Sequence, residues 1–309
     1  MDAYLKDKDN NSKEDEDMTI RPDDHLVVCA SNDDDVSSLK ARNFIAVGSM
    51  EPAIGIWNLD IMDELLPSVV LDGITEIRKK LMKKYIKYKK DSHTDSGLGL
   101  AWNKEYRNML ASASADQSIK VWGVTTRTCN ITMNDHSDKV QAVAWNPFAP
   151  QILLSGSFNQ TVCLKDGRKP SHSGFKFPVS AEVESLAWDP HSEHSFMVSL
   201  ENGTVTSFHI RAASADLTSE TKPSFTIHAH DKAVSSMSFN PLVPDLLATG
   251  SVDKMGAVFS VSFSDACPFL LAIGGSKGKL QLWDISSEDV LLMKYGKYVA
   301  KKKTGAQIV

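Results

Sequence analysis

The chain has 309 residues, 42% hydrophobic and 24% charged, enough to bury a substantial core. It holds no run of eighteen apolar residues and opens on a charged segment, which predicts an intracellular protein with neither a membrane span nor a secretory signal. The formal net charge of −5 conceals an asymmetry, since residues 1–35 carry twelve acidic and four basic side chains while 78–90 carry eight basic and no acidic ones.

In chain order, residues 1–24 are too charged and too poor in large apolar side chains to offset ordering entropy, so they are predicted to be a disordered acidic tail. Such a tail suits docking to basic partners such as ribosomal proteins or histones. One structured domain is expected over 25–285, with an insertion at 61–92, followed by a basic tail over 286–309 that is read as solvated. His25 to Ser31 is the first strand candidate, and Asn43 to Ser49 with Ile54 to Leu59 forms a hairpin containing Trp57. The DDDVSSLKAR segment between them is too short for further strands and predicts a compressed amino-terminal unit. In the insertion, Ile74, Ile77, Leu81, Tyr85 and Tyr88 recur at helical spacing among Arg78, Lys79, Lys80, Lys83, Lys84, Lys87, Lys89 and Lys90. This basic amphipathic segment is a candidate for nuclear or nucleolar targeting or for contact with RNA phosphates, against the plain reading of a solvated loop.

His93 to Trp122 is the best-formed copy of a unit that repeats. Leu98, Leu100 and Trp102 alternate, LASAS follows, and Ser118 to Val124 alternates again after a turn at Asp116 and Gln117, giving three short antiparallel strands. The same ruler places aromatic anchors at Trp102, Trp145, Trp188, Phe239 and Phe263, separated by 43, 43, 51 and 24 residues. Partners twenty residues later are Trp122, Lys165, Phe208, Phe259 and Trp283, and Asn-Pro or Asp-Pro follows three anchors. Repeats of about 40–45 residues with this grammar predict an all-β fold, a β-propeller. The gap of 24 residues is irregular, because AVFSVSFS reads either as the third strand of one unit or the first strand of the next. A third and a fourth strand are therefore expected to be missing there. Five to six blade equivalents result, an incomplete ring with open edges near Met255–Phe263 and Asp35–Phe44.

The unit is similar to the WD40 repeat, on His93, Asp116 and Trp122 with Ser112 or Ser114 as the hydroxyl member, and on the partial sets His136 with Ser155 and His230 with Thr249 and Asp253. The resemblance implies a hydrogen-bonded structural tetrad within each blade and a seven-bladed pattern. FIAVGSMEP, IWNLDIMDEL, SHTDSGLGLAWN and NMLASASADQSIKVW resemble the periodic tryptophan protein family over about Arg21 to Ile285. That resemblance implies a nuclear and nucleolar scaffold in ribosome biogenesis and ribosomal RNA processing, with ribosome-assembly proteins or pre-ribosomal particles as partners. The alternative is a chromatin-associated reader of histone tails. A third reading, a cullin ubiquitin-ligase receptor, rests on two broken WDxR-like boxes at Lys165–Arg168 and Phe208–Arg211.

The His, Asp and Ser residues recur at fixed offsets, as a scaffold network does, whereas a hydrolytic centre would occur once. GGSKGK at Gly274–Lys279 lacks the phosphate-loop spacing and is read as a β-turn. Cys29, Cys129, Cys163 and Cys267 have no paired spacing, so reduced, mostly buried thiols are expected, with neither zinc nor disulfides. No enzyme activity, cofactor, metal or small-molecule substrate is predicted.

Overall fold

The computed structural model describes residues 27–32, 43–61, 65–80, 83–169, 174–212, 222–252, 256–278 and 280–304; the acidic segment 1–24 and Asp253 lie outside them. Short alternating runs separated by turn residues fold into antiparallel meanders, one for each turn of the sequence ruler. The first is β1 (Val27–Asn32), β2 (Asn43–Gly48), β3 (Ile54–Asn58) and β4 (Val69–Val70). The second is β7 (Gly97–Trp102), β8 (Met109–Ser114), β9 (Ile119–Gly123) and β10 (Thr128–Met133). The third is β11 (Val140–Trp145), β12 (Ile152–Ser157), β13 (Thr161–Asp166) and β14 (Phe175–Pro178). The fourth is β15 (Val183–Trp188), β16 (Ser195–Leu200), β17 (Thr204–His209) and β18 (Phe225–His228). Two sheets are short: β19 (Ser236–Phe239) pairs only with β20 (Leu247–Gly250), and β21 (Val258–Phe263), β22 (Leu270–Gly275) and β23 (Leu280–Asp284) make a three-stranded sheet.

The first strands β1, β7, β11, β15, β19 and β21 pack side by side in chain order, so the sheets succeed one another as blades of an incomplete β-propeller. The core is divided among the gaps between blades. Ile54, Ile56 and Leu71 of the first sheet meet Trp102, Leu110 and Trp122 of the second, and Leu154, Val162 and Phe177 of the third meet Trp188, Phe196 and Phe208 of the fourth. Two local features recur with the repeat. The turn between the second and third strands puts Gln117, Gln160, Gly203 and Gly278 in the left-handed region, and a β-bulge interrupts the first strand between Gly97 and Gly99, Val140 and Ala142, Val183 and Ser185, and Val258 and Ser260.

Several expectations are corrected. The amino-terminal sheet is four-stranded, with β1 itself as the innermost strand, and Phe44 on β2 is paired on both sides; residues 35–42 of the edge expected at Asp35–Phe44 lie outside the described residues. The basic insertion forms a hairpin, β5 (Ile74–Lys80) paired with β6 (Lys83–Tyr88), where helical spacing predicted one amphipathic segment. AVFSVSFS is the first strand of the last sheet, so Phe259 closes no third strand, and the free edge of the fifth sheet lies at β20 instead of Met255–Phe263. The solvated tail expected after Ile285 contains α1 (Asp289–Thr304), which buries Tyr295 against Val243, Phe269 and Ile285 and donates its hydroxyl to Asp245 O at 2.9 Å.

Candidate functional site

The second blade brings His93, Ser112, Asp116 and Trp122 together. Trp122 Nε1 donates to Ser112 Oγ at 2.8 Å, His93 Nε2 lies 2.7 Å from the same oxygen, and His93 Nδ1 lies 3.0 Å from Asp116 Oδ2. The Asp116 carboxylate can only accept, so His93 Nδ1–H donates to it, and Nε2 of the neutral ring accepts from the Ser112 hydroxyl. Burial alone would raise the Asp116 carboxyl. The His93 ring, the Ser118 hydroxyl and the Thr94 N–H outweigh it and hold Asp116 well below the usual carboxylate range. Ser114 bonds Asp95 O instead, so Ser112 is the hydroxyl of the set. Both His93 and Ser112 are fully buried, and a hydroxyl sealed in this way meets no substrate.

The third blade alters the set. His136 Nε2 lies 2.9 Å from Ser155 Oγ and Nδ1 3.3 Å from Asn159 Oδ1, but Lys165 stands in the tryptophan position. Its ammonium is buried and forms an ion pair with Asp135. Burial first, then the Lys176 and Lys165 charges, push the His136 imidazole down to about 4 against the opposing Asn159 bond. The fourth blade replaces the polar set by aromatic packing: Phe208 stacks on Phe196 at 5.5 Å and meets Phe177 edge-on at 5.4 Å. In the fifth, His230 Nε2 lies 3.0 Å from Thr249 Oγ1, and Asp253 is outside the described residues.

A second network has no counterpart in the sequence reading. Trp145 Nε1 donates to Ala101 O at 3.0 Å and Trp188 Nε1 to Ala144 O at 3.2 Å, each tying its blade to the one before. Asn103 caps its own turn by accepting from the N–H groups of Glu105 and Tyr106, and its amide donates forward to Pro150 O at 2.7 Å. Asn146 and Asn240 repeat this toward Glu193 O and Pro268 O. Asp189 has no amide to donate, and His191 bonds Asn240 O at 2.9 Å in its place. Asn-Pro is a turn signal in sequence, and its forward bond becomes visible only once the blades are side by side.

These aromatic and Asn/Pro turns line a central cavity of about 470 Å³, among them Trp102, Trp145, Trp188, Phe239 and Phe263. Buried Asp72, also unforeseen, accepts from the Gly73 and His93 N–H groups and ties the base of the basic hairpin to the second blade. Within that hairpin the register sets Lys79 against Lys84 and Lys80 against Lys83, with Arg78 opposite Tyr85 and Lys87 opposite Glu76. Lys89 Nζ donates to Asp72 O at 3.1 Å and Lys90 is exposed. Of the WDxR-like boxes, Arg168 is held by Asp166 at 2.6 Å, while Phe208 is buried. Gly275–Gly278 turns through a Gly278 N–H to Gly275 O bond, and Lys279 lies outside the described residues. Cys163 is buried, which pushes its thiol up to about 11, and Cys129 and Cys267 are half-buried. Among the described residues no three His, Cys, Asp or Glu are placed to hold a metal, and no helix is long and apolar enough to cross a membrane.

The blade architecture and its His–Ser–Asp–Trp set are those of WD40 repeats, and the WD domain, G-beta repeat model matches residues 86–123, 127–166 and 221–255. The chain is 40% identical over 269 residues to an uncharacterized WD repeat-containing protein of Schizosaccharomyces pombe, covering 79% of this chain and 50% of that one. Its homologues include the Periodic tryptophan protein 1 homolog of Drosophila melanogaster, 26% identical over 265 residues and 85% of this chain, and Periodic tryptophan protein 1 of Saccharomyces cerevisiae, 28% identical over 292 residues and 81% of this chain. These alignments cover 54% and 50% of the two relatives, so the chain spans about half the length of the curated proteins it matches.

Proposed function

We propose that the chain is a non-catalytic scaffold in ribosome biogenesis that acts through ribosome-assembly proteins or pre-ribosomal particles in the nucleus and nucleolus. The observation that carries this reading is the similarity to Periodic tryptophan protein 1 over most of the chain, joined to a repeat architecture whose His, Ser and Asp groups are spent on holding blades together. The β5–β6 hairpin supports an accessory contact with RNA. Like charges directly opposite in a ladder repel, and phosphate oxygens between Lys79 and Lys84 and between Lys80 and Lys83 relieve that repulsion. Affinity purification of the tagged chain with sequencing of bound RNA and identification of bound protein tests the reading. Pre-ribosomal RNA and assembly factors are the expected result; nucleosomes in their absence would replace it with the histone-tail reading, and a cullin adaptor with the ligase reading.

A further inference from the structure

The fifth blade leaves a slot at the rim of the propeller. Three surfaces bound it, and each has a covered counterpart elsewhere in the same molecule. The floor is the outer edge of β20, which pairs with β19 on one side and, among the described residues, with no strand on the other. One wall is the fourth blade, where Ile227 on β18 is 48% exposed. Ile227 sits opposite Val205 as Phe177 sits opposite Val162 in the third blade, yet Phe177 is fully buried by Phe196 and Phe208. The other wall is the sixth blade, where Trp283 is 50% exposed although its counterparts Trp122 and Phe208 are 2% and 1% exposed. In the intact blades the third strand takes part in covering both positions, through Phe208 over Phe177 and through Ile54 and Ile56 against Trp122, and among the described residues the fifth blade has neither a third nor a fourth strand.

We propose that this slot is a strand-addition site, which takes an extended apolar hairpin from a partner protein onto β20. The slot continues the packing between blades four and five, around Val205, Val234 and Met237, and between blades five and six, around Phe263 and Leu271. Its register specifies the occupant. Trp122 pairs with Leu110 and Phe208 with Phe196, and Leu247 occupies the same place in β20, since Phe239 pairs with Leu247 as Trp102 pairs with Leu110. The incoming strand therefore places an aromatic residue opposite Leu247. Tryptophan suits best, because Thr249 Oγ1, held by His230, stands where Ser112 Oγ accepts the Trp122 indole. Main-chain bonds to β20 supply affinity, and alternating apolar side chains against Ile227 and Trp283 supply specificity. A second copy of the chain fits poorly: filling the slot takes two strands, and every described strand is already paired in a sheet of its own.

The test uses the full chain and a synthetic peptide copying residues 117–133, the third and fourth strands of its own second blade. Hydrogen exchange is followed by mass spectrometry with and without the peptide. Amides of 247–250 and 280–284 should slow by at least about tenfold on peptide addition, with a blue shift of tryptophan emission as Trp283 is covered. The same peptide carrying Trp122→Ala should need about tenfold higher concentration for the same protection, and a scrambled peptide should give none. These substitutions leave the protein untouched, so no folding failure obscures the result. The proposal is overturned by unchanged exchange at 247–250, or by equal protection from the scrambled peptide. Protection already present in the monomer without peptide, or gained on concentration-dependent dimerisation, would equally overturn it, because the chain itself or a second copy would then fill the slot.

Discussion

Lys165 shows how one residue changes the accounting of a blade. Read as a gap in the tetrad, it is expected to contribute little, but the structure buries its ammonium against Asp135. Lys165→Ala should then cost about 3–5 kcal/mol, as much as Trp122→Ala, because it strands a carboxylate, and Lys165→Met should cost nearly as much, since it restores the packing but not the charge. Denaturant melts of the three variants check this, and a neutral Lys165→Ala would refute it. The partner lies thirty residues upstream in no fixed pattern, so nothing local could have signalled the pair. His136 makes a second residue-scale prediction. Its folded value of about 4 lies below its ordinary 6.5, so as pH falls through that window the unfolded chain takes up a proton that the native state refuses. Stability is complete above pH 6.5 and declines toward pH 4, by an amount on the order of 3 kcal/mol. His136→Gln should flatten the pH dependence of the melting temperature in that interval.

Among the elements, the intact strands and their order were legible because period-two alternation and anchors 43 residues apart are properties of the letters themselves. The basic hairpin was not. Ile74, Ile77, Leu81, Tyr85 and Tyr88 fit a helical stripe only when counted straight through from β5 into its antiparallel partner β6; Leu81 itself lies outside the described residues. Helix α1 was overlooked for the opposite reason: Leu291, Tyr295 and Tyr298 do form a stripe, hidden among lysines. Asp72 caps the junction between hairpin and blade, so the hairpin can be altered without disturbing the propeller. Replacing Lys79, Lys80, Lys83 and Lys84 by Gln should abolish nuclear accumulation and weaken RNA co-purification while shifting the melting temperature by no more than about 2 °C. Unchanged nuclear fluorescence in that variant would separate the hairpin from targeting.

For the whole molecule, the ruler exposed the shortage of strand material but misplaced the edges that result. The reason is that AVFSVSFS serves two readings equally as letters, and only pairing with β22 assigns it to the sixth blade. Supplying the missing pair gives a direct test of the architecture. Inserting a copy of residues 118–133 between Lys254 and Gly256 should cover Ile227 and Trp283, raise the melting temperature by several degrees, on the order of 1–3 kcal/mol, and reduce aggregation. The inserted chain should also lose the response of β20 to added peptide. An unchanged melting temperature with a folded insert would mean that the slot is already satisfied.

The forward bonds of the Asn turns carry a consequence for synthesis. Asn103 donates to a carbonyl 47 residues later, and Asn146 does the same, so neither turn is complete until the first strand of the following blade has been translated. Each blade is left provisional by the ribosome and locked by its successor, which makes assembly vectorial. The relay stops at Ser264, whose hydroxyl accepts from Ala266 and Cys267 as the asparagines accept but carries no amide to extend to a further blade. Among the described residues blade six thus receives such a bond from Asn240 and passes none on, and fraying of the blade-to-blade relay should begin there and travel toward the amino terminus, opposite to the direction in which it was made.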